Sequence, residues 1–431
     1  MFWRKIMAKK LEEIKEEECP YELPEGWKWE RLENISEIIS KGTTPKGGKS
    51  VYLENGVNFL RVENINDYGR IEKKDIKYIK NDVHLNELKR SILCEGDVLI
   101  TIAGTLGKVA IVSKEDLPIN TNQAVAFVRL INDIVDGKFL LYYIKCNETQ
   151  KRLLSRSKIT AIPNLTLEII RNLNVVLPPK ETQQKIVYII ESLFAKLDIA
   201  QEKVEQVLAE SENRRSAILH NAFSGKLTEK WREENNVSFD SWNEYKIKDI
   251  AKNIKDKYDP EKDKFLNIPY IGLEHIEKNN GIVGFSSSEG VKSIKTLFNK
   301  NDVLYGKLRP YLDKHDIAEY NGMCSTDIIV YRCKLKETAI ILNYVMSTKQ
   351  FIEYAVTNSK GINLPRTSEK IISEYKLQLP LLTEQKEIVR LLDKFLSVED
   401  KVKSTCQNTL EAIATMRKSI LAKAFRGELC S

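Results

Sequence analysis

The sequence predicts an α+β protein of two globular, mixed α/β segments and two long helices, arranged as a pseudo-two-fold internal repeat. Three observations predict it. One stretch of 51 residues occurs twice. Each copy spaces its apolar residues as paired helices do. Each copy also follows a region of short β-type runs broken by Gly, Asn and Asp.

The repeat comes first, because a missed repeat misreads the whole architecture. Leu177–Leu227 and Leu379–Leu429 align without a gap at an offset of 202, share 14 of 51 residues, and both end in AF-x-G-x-L. Upstream, Trp27, Leu32 and Ile35 answer Trp242, Ile247 and Ile250, and Asp97-Val98-Leu99 answers Asp302-Val303-Leu304. The offset drifts through 215, 205 and 202, so the globular parts differ in loop length while the helices do not.

In the first helix the apolar seam includes Ile186, Ile190, Leu193, Leu197 and Val204. In the second it includes Ile388, Leu392, Phe395, Val402 and Ile413. Spacings of 4 and 3 alternate along both, which predicts a paired coiled coil. Arg214 and Glu399 fall on the seam, and Glu399 marks a polar contact or register-setting site. A helix over Thr182–Ala222 would be about 60 Å long at 1.5 Å per residue. Pro178 and Pro380 precede the helices, while Gly225 and Gly427 stand where a left-handed C-terminal residue belongs.

The β-type runs are VNFLRVENI, GDVLITIAG, KVAIVS and AVAFVRL in the first half, and IPYIGLEHI, NDVLYGKL and DIIVYRCKL in the second. One helix, KFLLYYIKCNETQKRLLSR or ILNYVMSTKQFIEYAVTN, precedes each long helix, and GKLTEKWREENNVSFDSW reads as a polar linker. The resulting partition is 1–163, arm and first globular domain; 164–230, first helical region; 231–365, linker and second globular domain; 366–431, second helical region.

Charge is distributed unevenly. The chain carries +7, with net +5 over residues 27–163 and net +4 over residues 245–365. A positive excess on both globular parts suits a polyanionic partner. The seven cysteines are odd in number and form no C-x-x-C pair, and the four histidines are scattered. Free thiols in a reducing cytoplasm and no metal site are expected. No run approaches 18 apolar residues, and the start, MFWRKIMAKKLEEIKEEE, reads as a charged arm rather than a signal peptide.

Ser40–Ser50, SKGTTPKGGKS, comes close to a phosphate loop, but Gly48 displaces Lys49 by one position from where it must stand to reach phosphates. A basic loop meeting DNA phosphates through Lys41, Lys46 and Lys49 fits better. Ala103–Lys108, AGTLGK, follows a strand and is either a plain glycine turn or a close backbone approach to nucleic acid. Its counterpart, Gly306–Lys314, interleaves Lys307, Arg309 and Lys314 with Tyr311. No S-adenosylmethionine loop, amino-methyltransferase tetrapeptide, G-x-S-x-G elbow or Cys/His pair is present, so the chain reads as non-catalytic.

ELPEGWKW (22–29), FLRVENI (59–65), NDVLYGKLRPYLDK (301–314), CSTDIIVYR (324–332), LPP-x3-QQKI and the two AF-x-G-x-L endings together resemble the specificity subunits of Type I restriction-modification systems. The resemblance implies two target-recognition domains, each reading one half of a split, asymmetric site on double-stranded DNA, with antiparallel helices setting the gap. It also implies two methyltransferase subunits docked on the helices and motor-nuclease (restriction) subunits joining for cleavage. S-adenosylmethionine, ATP and Mg would then sit on those partners and not on this cytoplasmic chain. The candidate DNA contacts are Lys41, Thr43, Thr44, Lys46, Lys49, Arg61, Asn64, Thr105, Lys108 and Asn122 in the first half. In the second they are His275, Lys307, Arg309, Tyr311, Lys314, Ser325 and Thr326. The charged arm before Glu22 has no counterpart in the family pattern. A coiled-coil adaptor that holds proteins without reading DNA is the competing function, and an NTPase or nuclease acting alone is a third.

Overall fold

The computed structural model describes residues 14, 18–155, 164–263, 268–289 and 291–429, apart from the side chains of Gly48 and Lys49. Most of the charged arm, Cys430 and the Lys49 side chain lie outside the described residues. Two compact units form: Met1–Lys203 with Asn408–Ser431, and Val204–Gln407. The repeat partitions the chain end to end, whereas the compact units divide each long helix between them.

In the first unit, Lys28–Arg31 pairs antiparallel with Asn174–Leu177, so the chain enters and leaves the globular part side by side. Inside it an antiparallel sheet runs in the order Ser36–Lys41, Val125–Leu130, Val98–Thr101, Val109–Ile111. A smaller sheet sets Val57–Leu60 antiparallel to Lys77–Ile79 and parallel to Ile119–Thr121. The second unit repeats this plan. Its ribbon is Asn243–Lys246 with Lys376–Leu379, and its main sheet runs Ala251–Ile254, Ile328–Cys333, Val303–Gly306, His315–Ile317. Tyr270–Ile271 again lies parallel to its neighbour, Gly322–Cys324. A β-bulge between Ser36 and Ile38 takes up one residue of the first sheet. That bulge shortens the offset between the halves from 215 to 214 along the edge strand.

The same ion pair braces both sheets. Arg129 donates from Nε and Nη2 to Asp97 (2.9 and 2.8 Å), and Arg332 does so to Asp302 (2.7 and 2.6 Å). Each buried aspartate also accepts from a backbone N–H three residues earlier, at Cys94 and Asn299. This explains why Asp-Val-Leu recurs: the aspartate ties a tight turn to the first residue of a core strand.

The helices largely follow the sequence expectation, with three corrections. The first long helix spans Lys180–Ala209 and resumes at Ser211–Phe223, with Glu210 between them, while the second runs unbroken over Leu382–Phe425. At the interruption Arg214 Nη2 donates to the Val207 carbonyl at 3.1 Å. Second, the strict heptad seam drifts off the buried face. Phe395 is 39% exposed while Leu396 is buried, and Ile388, Leu392 and Leu396 step by four. The inward row steps by four here, and the seam positions Val402, Cys406 and Ile413 turn inward again beyond it. Leu193, Leu197, Val204 and Val402 are half-buried; Ile186, Ile190 and Ile413 are buried. Third, the single helix expected before each long helix is a pair: Gly137–Lys145 with Asn147–Ser155, and Lys336–Met346 with Lys349–Thr357. Thr348 starts the last of these by accepting from Phe351 N.

Both glycines past the helix ends take the left-handed backbone the sequence requires, with φ 76° at Gly225 and 82° at Gly427. A Cβ on Gly427 would stand 2.3 Å from Pro24, so the last turn is closed against the entry ribbon. The polar linker is also more structured than its composition implies. It forms a helix, Glu229–Asn235, and Arg232 is buried against Glu384 at 2.6 Å. Thr228 and Trp242 donate to the same carboxylate. All three donors were hidden in a stretch that composition alone labels solvated.

Within each unit the long helices pair antiparallel. In the first, Arg417 donates to Asp198 at 2.5 Å and lies over the Phe194 ring, while Leu421 and Phe425 share a core with Ile186 and Ile190. In the second, Arg215 faces Asp400 at 3.9 Å, and Arg214 Nε donates to both Glu399 oxygens at 3.0 Å. The repeat makes Asp198–Arg417 and Asp400–Arg215 equivalent, whereas Arg214 and Glu399 correspond to Met416 and Leu197. One seam position is therefore charged in one unit and apolar in the other. Arg214→Met and Glu399→Leu should each lower the melting temperature, because each leaves one charge of the seam without its partner. The double variant should melt above either single variant. Calorimetry checks this, and a double variant no more stable than the weaker single one would show the pair is uncoupled.

Candidate nucleic-acid interface

The strand directions decide where the candidate residues gather. In the first sheet, Ser36–Lys41 and Val98–Thr101 end where Val125–Leu130 and Val109–Ile111 begin. Lys41, Thr43, Thr44, Lys46, Thr105, Lys108 and Asn122 consequently lie at one end of this sheet. In the second sheet the same end carries Lys307, Arg309, Tyr311, Lys314, Ser325 and Thr326. The other end of each sheet faces the root of a long helix. There Gln183 accepts from Asp136 N and donates to the Ile134 and Pro178 carbonyls, while Gln385 accepts from Thr338 and donates to Pro380 O. Each sheet is thus held at one end and free to vary its loops at the other.

Backbone bonds fix the first loop. Gly42 N donates to Val125 O and Thr43 N to Thr121 O, both at 3.0 Å, and Lys46 N donates to Glu87 Oε1 at 2.7 Å. A Cβ on Gly42 would lie 2.2 Å from the Thr121 and Asn122 carbonyls, so only glycine permits this approach. Lys41, Thr43, Thr44, Lys46 and Thr105 are exposed, and Thr44 hydrogen-bonds Gln123. Lys41, Thr43, Lys46 and Thr105 show no side-chain partner among the described residues.

Other candidates are occupied internally. Asn64 is buried, accepts from Arg61 N at 3.0 Å, and donates to the Glu72 and Lys74 carbonyls. This moves Asn64 from contact to scaffold. Lys108 Nζ donates to Ile65 O and pairs with Asp67 at 3.0 Å, Arg61 pairs with Glu63 at 2.6 Å, and Asn122 Oδ1 accepts from Ala124 N.

The second unit repeats these assignments with different side chains. His275 Nδ1 accepts from Gly272 N at 2.9 Å, the place Asn64 takes after Arg61. Its Nε2 meets Ser286 Oγ at 3.1 Å. Lys314 Nζ donates to Leu273 O at 2.6 Å, as Lys108 does to Ile65. Ser325 Oγ accepts from Asp327 N at 3.2 Å, as Asn122 accepts from Ala124. These three residues are scaffold first.

Arg309, Tyr311 and Thr326 are exposed, with Lys307 half-buried beside them. Arg309 and Asp313 hold left-handed backbone (φ 52° and 51°) on either side of the turn Pro310–Leu312, and Arg309 N donates to Pro365 O at 2.7 Å. Such backbone is costly for residues with a Cβ and persists where surrounding bonds enforce it. Burial pushes the nearby Cys324 thiol, and that of Cys333, up to about 12. Neither is an ionised nucleophile at neutral pH.

Sequence reasoning missed Lys255. It follows Ile254 at the position Lys41 takes in the first sheet, and it is exposed, as are Lys252 and Lys257. The signal was an offset of 214, visible only once the bulge is counted.

The family model for the Type I restriction modification DNA specificity domain matches residues 24–209 and 240–412. The chain is 28% identical over 323 residues to the Type I restriction enzyme EcoDI specificity subunit of Escherichia coli, covering 69% of this chain and 71% of that one. It is 23% identical to the EcoKI specificity subunit of Escherichia coli K12, over 94% and 90% of the two chains. Among solved structures, a chain of a type I R-M system superposes with a TM-score of 0.74 at 18% identity, covering 95% and 100%. The HsdS subunit from Thermoanaerobacter tengcongensis gives 0.64 at 18% identity, covering 95% and 99%. At these identities the superpositions speak to fold.

The split between free and occupied side chains predicts opposite outcomes. Asn64→Ala strands a backbone N–H and two carbonyls and should cost about 1–3 kcal/mol of stability. Lys41→Ala should stay within about 0.5 kcal/mol of the unsubstituted chain. Urea unfolding of the two variants checks the assignment.

Proposed function

The chain belongs to the Type I restriction-modification DNA specificity family, and from that premise we propose that it reads a bipartite, asymmetric site on double-stranded DNA, one half with each free sheet end. The observation that carries the reading is the repetition of the free sheet end. Two units of one plan make the same bracing hydrogen bonds and present different sets of exposed residues: Lys41, Thr43, Thr44, Lys46 and Thr105 against Lys255, Lys307, Arg309, Tyr311 and Thr326. Two readers of different bases need a shared frame and unlike tips.

On this reading residues 1–163 and 231–365 hold the recognition domains, and 164–230 and 366–431 the helical regions. The helices dock two methyltransferase subunits that modify adenine, and restriction subunits join that complex. The chain itself performs no chemistry and works in the cytoplasm; S-adenosylmethionine, ATP and Mg belong to the partners. No described helix is long and apolar enough to cross a membrane.

Titrating duplex DNA at two salt concentrations, with methyltransferase subunits supplied, tests the reading. Salt-insensitive or absent binding would favour an adaptor. Lys41→Ala and Lys46→Ala should each flatten the salt dependence by about one ion and weaken all sequences evenly. Arg309→Ala should instead cost about 1–3 kcal/mol and relax one position of the second half-site. Unchanged affinity and methylation pattern for Arg309→Ala would remove it from the contact set.

The second long helix has 44 residues and is about 66 Å long at 1.5 Å per residue. We expect it to set the gap between half-sites together with its partner. Seven residues inserted after both Gln206 and Asn408 add about 10 Å to each helix, or about three base pairs of rise. The gap should lengthen, or activity should vanish through the accompanying rotation of about 100°. Methylation mapping reads the result, and an active variant with the original gap would show that the helices do not set it.

A further inference from the structure

One feature of the second recognition domain is not explained by its scaffold: a fully exposed isoleucine on a pinned turn. Lys360 and Arg366 exchange backbone bonds, Lys360 N to Arg366 O at 3.0 Å and Arg366 N to Lys360 O at 2.9 Å. They close a narrow two-stranded turn, with Gly361 in left-handed backbone (φ 94°). Arg366 also bridges to Leu308 and donates to Asp327 at 2.5 Å, and Thr367 N donates to Lys307 O. The turn is therefore tied to the free sheet end at Lys307, Arg309 and Asp327. At its tip Ile362 is 100% exposed.

An anchored ribbon that holds a bare aliphatic group in water, with Lys360 and Arg366 at its neck, has the form of a groove reader. The major groove of B-DNA, about 12 Å wide, admits a two-stranded ribbon. Cations at the neck can meet phosphates on the flanks. An isoleucine side chain has no donor or acceptor, so the feature it can distinguish on a base edge is the thymine C5-methyl group.

We propose that Ile362 reads a thymine methyl in the major groove of the second half-site. The inference rests on the DNA-reading function above and adds the contact chemistry at one position. Ser157-Lys158 and Pro163 answer Ser359-Lys360 and Pro365 at the offset of 202, and Thr160 stands where Ile362 does. The same alignment sets Ile159 against Gly361 and Asn164 against Arg366, so the residues that close this turn belong to the second half alone.

The test uses the full chain with its methyltransferase subunits and duplexes of the site defined by methylation mapping. Each thymine of the second half-site is replaced in turn by deoxyuridine, which lacks only the methyl. One replacement should weaken the unsubstituted chain about fourfold, the worth of one buried methyl. Ile362→Ala should bind the thymine duplex about that much more weakly and be indifferent to the same replacement. Ile362 is exposed, so the variant should fold normally. Equal sensitivity of both proteins at every position, no sensitivity in either, or a half-site without an A·T pair would each overturn the proposal. If Arg309→Ala and Lys41→Ala also leave binding and its salt dependence unchanged, the DNA reading itself fails. If they weaken binding while Ile362→Ala does not, only this inference falls.

Discussion

Each globular unit depends on a helix segment it does not encode nearby. Phe425, at the far end of the chain, lies against Phe139 and Tyr143 with ring centroids 5.3 and 5.2 Å apart, in the core that holds the first ribbon and sheet. In the second unit Leu219 and Ala222 of the first helix close over Ile388, Leu392 and Trp242. Neither half buries its apolar surface with its own helix alone. Cross-supply of helix ends is thus a condition for folding, and it explains why the helical copies kept their length while the loops drifted. A change in the length of one helix alone moves a core residue such as Phe425 out of its place, and filling that void again is costly.

That dependence assigns different freedoms to the two ends of each sheet. At the helix end, buried amides and ion pairs repeat almost atom for atom, as with Gln183 and Gln385 or Asp97 and Asp302. At the free end some bracing bonds repeat, as with Lys108 and Lys314, while the side chains around them differ. Asn64 and His275 fill one slot with different chemistry, because the slot needs an acceptor for a backbone N–H and nothing more. A recognition protein of this kind can change its exposed side chains without disturbing its interior.

Much of this was legible in the sequence. The gap-free repeat revealed the helices, and proline before and glycine after marked their ends. The Asp-Val-Leu echo located equivalent strands. The heptad count misled at Phe395, because alternate 4 and 3 spacings fit either a supercoil or a straight helix over two turns. The arrangement of Arg232 with Glu384 was hidden because charge in a linker reads as solvation until a partner 152 residues away is known. Among the contact residues, composition could not separate Lys41, left free, from Lys108, tied to Ile65 and Asp67. Both are lysines beside a glycine, and only the fold decides what each can reach.

The unequal seam position bears on how a duplicated protein stays a single working object. Two first halves brought together as equals would set Arg214 against Leu197 at both crossings, and two second halves would set Glu399 against Met416. Each such pairing sets a charge opposite a hydrocarbon, twice over. Joining a first half to a second sets Arg214 against Glu399 as a matched ion pair and leaves no charge at the equivalent position. The molecule thus carries in its helices a grammar of unlike halves: two diverged positions make each copy the other's complement and a poor partner for itself.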